Sequence, residues 1–61
     1  MRYSELKRKL RRAGCYKVHE DANHEKWFSP ITQKHFWVPR HDSQEVNPKT
    51  LHKILKDAGL E

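Results

Sequence analysis

A two-layer α+β fold of order α-β-β-β-α, with two helices on one face of a three-stranded antiparallel sheet, is what this sequence predicts. Three observations lead there. Apolar residues recur every three or four positions near both ends of the chain, polarity alternates between Cys15 and Pro39, and turn residues divide that middle stretch into three. Three strands leave one apolar face that two amphipathic helices can cover.

The first helix is expected over about residues 4 to 13. Tyr3, Leu6, Leu10 and Ala13 form its stripe, Ser4 is the expected N-cap, and Gly14 suits the left-handed position that ends a helix. The strands follow as Cys15 to His19, His24 to Ser29 and Lys34 to Val38, joined by Glu20-Asp21-Ala22-Asn23 and by a turn over Pro30 to Gln33. Pro39 lacks an N–H and closes the last strand or lies on an edge. After a loop of Arg40 to Glu45, Asn47 is the N-cap of the second helix and Pro48 its first residue, with Val46 and Leu51 placed as a hydrophobic staple. Leu51, Ile54, Leu55 and Ala58 make the stripe, and Gly59 stops the helix.

With 61 residues the chain is read as one domain, 1–61, burying only about 60% of its unfolded surface. Its core is thin and depends on large aromatic side chains. The lone Cys15 forms no internal disulfide and is read as a small buried hydrophobe; no apolar run marks a signal peptide or a membrane span. A cytoplasmic protein that does not engage the membrane is expected.

Charge is placed unevenly. Residues 1–12 carry six Lys/Arg against Glu5 alone, which is the entire +5 excess, while residues 13–61 are balanced at seven of each sign. Such a segment, with Arg8, Arg11 and Arg12 on one helix face, attracts a polyanion such as RNA or an acidic protein, or simply solvates the surface. Taking Val18, Trp27, Phe36 and Val38 as the helix-facing set, alternation puts His24, Lys26 and Phe28 on the other face, with Lys17, His19, His35 and Trp37 as companions. Cations among aromatic rings suit single-stranded RNA. The same Phe28 and Trp37 also suit a protein partner.

Five histidines raise the question of metal. His19, His24, His35, His41 and His52 match no zinc spacing and there is no second cysteine, so neither metal nor cofactor is expected. No serine sits in a nucleophile setting.

Tyr3-Ser4-Glu5-Leu6, Ala13-Gly14, Asn23-His24, Val38-Pro39-Arg40-His41, Thr50-Leu51, Ile54-Leu55 and Ala58-Gly59-Leu60 occur in this order along almost the whole chain. In order and spacing they resemble the HicA (YcfA-like) family of mRNA-interferase toxins. The resemblance implies a fold similar to double-stranded-RNA-binding domains, ribosome-independent cleavage of mRNA, His24 as the catalytic histidine, and a HicB-like antitoxin that covers it. The family's histidine usually follows a turn containing Gly-Ser or Ser-Asn. Here it follows Ala22-Asn23, so the turn has no residue indifferent to positive φ, Asn23 being the more tolerant of the two, and the presentation of His24 is open to change.

The chemistry needs no metal, because RNA supplies its own 2′-OH nucleophile and an imidazole can carry the proton. Arg40, held by Pro39, and His41 are expected at a phosphate, as are Lys26 and, beside the N-terminus of the second helix, Lys49. The alternative is a non-catalytic RNA-binding module of the same fold, or a chain whose main role is to complete a complex with its antitoxin.

Overall fold

The computed structural model describes Met1–Glu61 and has the expected order: α1 (Tyr3–Arg12), β1 (Tyr16–Glu20), β2 (His24–Ser29), β3 (Lys34–Pro39) and α2 (Pro48–Ala58). The strands form one antiparallel sheet in the order β1-β2-β3. Both helices lie on the same side of it, since Leu6, Leu10, Ile54 and Ala58 share one core with Trp27, Phe36 and Val38.

Helix α1 begins one residue before the expected start, and Ser4 is not its cap. Arg2 holds that position. The loop of residues 40–45 explains the shift: its Gln44 and Asp42 carbonyls accept the first-turn N–H groups of Tyr3 and Ser4 at 3.0 Å each, so a hydroxyl acceptor is not needed. Tyr3, Leu6 and Leu10 are buried as expected, and Ala13 closes the helix half-buried. Gly14 at φ +97° then lets the Gly14 and Cys15 N–H groups return to the Arg11 and Leu10 carbonyls, a Schellman ending. Cys15 is buried immediately before β1.

Strand β1 departs most from expectation. It starts one residue later and carries a bulge, for Lys17 pairs with Trp27 while His19 pairs with Lys26. Val18 is the extra residue. It is 46% exposed instead of facing the helices, and Lys17, placed by simple alternation on the open face, shares the helix side with Trp27. The other expected core residues, Trp27, Phe36 and Val38, are buried.

Helix α2 matches its local signals. Asn47 Oδ1 accepts the Lys49 N–H at 2.9 Å, Pro48 opens the helix, and Val46 and Leu51 reach the common core. At its end, Gly59 has φ +82° and the Leu60 N–H returns to the Leu55 carbonyl. This end abuts the β2–β3 turn: Ser29 Oγ, fully buried, donates to the Ala58 carbonyl and Thr32 Oγ1 to the Asp57 carbonyl, both at 2.7 Å. A buried charge network lies at the other end of the core. Lys7, 3% exposed, binds Glu25 Oε2 at 3.1 Å and also Asp42, and Trp27 Nε1 donates to Glu25 Oε1 at 3.0 Å.

Candidate active site

The site starts from the β1–β2 connection. Asp21 N–H donates to the His24 carbonyl at 2.9 Å, and Asp21 Oδ1 accepts the main-chain N–H groups of Asn23 at 3.0 Å and His24 at 2.8 Å. The Asp21 carboxylate thus closes the turn by accepting two main-chain N–H groups. Neither Ala22 nor Asn23 has positive φ, so Asn23 is not called upon to take a left-handed conformation. The N–H donors from His24, then Asn23, hold the Asp21 carboxyl below its ordinary pKa.

Arg40 braces this turn from outside. Its Nη1 donates to the Asp21 carbonyl at 2.8 Å, its Nη2 lies 3.7 Å from Glu20 Oε2, and its main-chain N–H donates to the Asn23 carbonyl at 3.1 Å. Lys17, bonded to Glu20 Oε1 at 2.8 Å, and then Arg40 keep the Glu20 carboxyl ionised below its usual range. The guanidinium expected at a phosphate is therefore engaged by the protein.

His24 heads β2 opposite Pro39, on the open face of the sheet, and its side chain is exposed. Its ring meets Trp37 edge-on, with centroids 6.3 Å apart and planes at 87°. Lys26 Nζ lies 5.8 Å from the Trp37 ring centre. Tyr16, Phe28 and His35 continue the aromatic surface at centroid separations of 5.7 and 4.9 Å. Between β3 and α2 runs a cleft of about 410 Å³, with His24, His35 and Trp37 on one wall and Thr50, Lys53 and Asp57 on the other. The arrangement puts the His24 imidazole, the Lys53 ammonium, the Asp57 carboxylate and the Trp37 ring around one groove, with Lys26 beside that ring.

The family model described as "HicA toxin of bacterial toxin-antitoxin" matches residues 3–60. This chain belongs to the HicA toxin family. Neither the curated proteins nor the solved structures compared with it gave a match. Within this HicA chain, His24, Lys26, Phe28 and Trp37 come together as the alternation of strands requires.

The other sequence candidates lie apart. Arg8, Arg11 and Arg12 project from α1, which packs on the helix side of the sheet, whereas His24 lies on the open side. Arg8 and Arg11 line a separate polar cleft of about 440 Å³ with Lys17, Glu20, Arg40 and Asp42, and Arg11 also covers the Trp27 ring at 5.3 Å. His41 is exposed in the loop after β3. Lys49 is exposed in the first turn of α2, where its N–H is already held by Asn47.

Thr50, Lys53 and Asp57, which do line the cleft of this HicA toxin, were not singled out together by sequence reasoning. Their spacing on one face of α2 is readable; the strand edge that this face meets is not. No three His, Cys, Asp or Glu side chains converge as a ligand set for a metal ion. No helix is long and apolar enough to cross a membrane.

Proposed function

We propose that this HicA-family toxin is an endoribonuclease that cuts mRNA in the cytoplasm without ribosome or metal, with His24 as general acid and base. The observation that carries this reading is the exposed His24 imidazole on a hydrogen-bonded turn, at a groove that also presents Lys53, with Lys26 beside the Trp37 ring that lines it. His24 takes the proton of the substrate 2′-OH as that oxygen bonds to phosphorus, and the bond from phosphorus to the 5′-oxygen breaks. The departing oxygen receives a proton from the His24 imidazolium, which returns to the neutral ring, leaving a 2′,3′-cyclic phosphate and a 5′-hydroxyl. Lys26 and Lys53 offset the charge that builds on the phosphoryl oxygens. The basic face of α1, on the far side of the sheet, draws RNA in over longer distances. A HicB-like antitoxin silences the toxin by covering His24 with Phe28 and Trp37.

Incubation with a defined mRNA in EDTA, with and without His24→Ala, tests this. Cleavage is expected in EDTA and is expected to fall roughly a hundredfold to ten-thousandfold in the variant. Equal cleavage by both proteins, or a requirement for added divalent ion, would overturn it. RNA binding without cleavage would instead favour the non-catalytic RNA-binding module.

A further inference from the structure

The two tryptophans of the sheet have opposite environments. Trp27 is fully buried on the helix side, whereas Trp37 on the open face keeps 51% of its surface exposed. An exposed indole is a large apolar surface left in water. Here it is framed by function-bearing groups: the His24 ring against its edge, the Lys26 ammonium 5.8 Å from its centre, and Lys53 across the cleft. His35 precedes it by two residues on the same face and leads into the Phe28 and Tyr16 rings.

We infer that Trp37 is the platform on which the base next to the scissile phosphate stacks, with the ring cluster of Phe28, Tyr16 and His35 taking a neighbouring base. The inference rests on the nuclease reading for the position of the cut and adds to it a requirement that the bases at the cut be unpaired. A base lying on Trp37 brings its sugar and phosphate beside His24. Lys26 exchanges the ring face for that phosphate, which its flexible stem permits. Lys26 and Lys53 outnumber the one carboxylate of the cleft, Asp57, and this positive excess complements a nucleic-acid backbone and gives an acidic strand precedence over an apolar one. Bases of a duplex are stacked on one another and have no free face to offer.

The test reads binding apart from chemistry. The intact protein is titrated with a short unstructured oligoribonucleotide bearing 2′-O-methyl groups, which removes the proposed nucleophile, and with the same strand in a duplex. Tryptophan fluorescence reports on Trp37, because Trp27 is shielded. The single strand is expected to quench it and the duplex not. Trp37→Ala is expected to weaken single-strand binding by roughly 5- to 150-fold, and Trp37→Phe to keep most of the affinity. Near-ultraviolet dichroism of Trp27 verifies that the variants fold. Equal quenching by duplex and single strand would overturn the platform. So would a Trp37→Ala protein that binds RNA as the parent does while failing to hold a HicB-like antitoxin. Quenching that depends on Trp37, in a protein that never cuts unmodified RNA, would support the platform and refute the nuclease reading alone.

Discussion

The carboxylate of Asp21 accepts the main-chain N–H of His24 at 2.8 Å, so the residue proposed to carry the proton is held by its own backbone, three positions after the group that holds it. Asp21→Ala removes this acceptor without touching the imidazole. Its kcat on RNA is expected to fall by as much as roughly a hundredfold, the usual consequence of displacing a reacting group by about 1 Å, with KM nearly unchanged. Asp21→Asn keeps an acceptor oxygen and is expected to lie between. Steady-state kinetics on the three proteins decides this. An unchanged kcat in Asp21→Ala would show that the turn needs no such anchor.

The same contact has a pH signature. Asp21 has its carboxyl held below the ordinary value of 3.8, first by the His24 N–H and then by the Asn23 N–H. A depressed carboxylate supports the folded turn fully above its ordinary pKa and ceases to as pH falls through the lower folded value. The Asn23 amide proton, which bonds to the same carboxylate oxygen and belongs to a residue with no titrating ring, is therefore expected to show its acid step only below the ordinary carboxylate range, in a nuclear magnetic resonance titration. In Asp21→Asn that acid step should vanish.

Arg40 separates two accounts of the site. Its guanidinium is bonded to the Asp21 carbonyl and faces Glu20, so Arg40→Lys is expected to lower kcat, leave KM almost unaltered, and add little when combined with Asp21→Ala. A rise in KM that grows with salt would mean that Arg40 holds a phosphate instead.

Lys7 is expected to be the most sensitive surface-to-core position. Removing it in Lys7→Ala leaves Glu25 buried without its counter-charge, a loss of about 3–5 kcal/mol against a total of roughly 3–9 kcal/mol for a domain of this size. Urea unfolding is expected to show the variant largely unfolded at low denaturant. The pair Lys7→Met with Glu25→Gln, which retains an acceptor for Trp27, should recover part of the loss.

Two glycines with similar backbone angles are expected to respond differently to alanine. At Gly14 the left-handed conformation alone opposes the change, by about 1–2 kcal/mol, since a new Cβ meets only Pro30 Cγ at 3.6 Å. At Gly59 the Cβ falls 2.6 Å from Ile31 Cγ2 and 3.0 Å from Thr32 Cγ2, so the β2–β3 turn must move as well. Thermal melts should place Gly59→Ala clearly below Gly14→Ala, each kcal/mol being worth about 4–8 °C at this size.

What was legible in the sequence follows what is local. The cap at Asn47, the stop at Gly59 and the strand alternation around Trp27, Phe36 and Val38 are set by neighbours in the chain, and so was the company of His24, Lys26 and Trp37 on one face. Ser4 was misread because its competitor for the helix N-terminus, the carbonyls of Asp42 and Gln44, comes from a distant loop. Lys7 was assigned only to the basic segment, since its burial depends on Glu25 and Asp42 meeting it from two other elements. Val18 looked like a core residue, and nothing short of the β1–β2 register reveals the bulge. The wall of the cleft formed by Thr50, Lys53 and Asp57 required knowing how α2 lies along β3.

That bulge bears on how the protein behaves among its neighbours. An outer strand with unpaired main-chain groups is a template for polymerisation, and β1 is such a strand, all five of its residues exposed. At Val18 the regular repeat breaks and the local twist increases, so an incoming strand loses register partway along. The opposite rim, β3, ends in Pro39, which has no N–H to offer, and has α2 packed beside it. A sheet of only three strands is thus guarded against extension from either side, which leaves its open face, and not its edges, as the surface on offer.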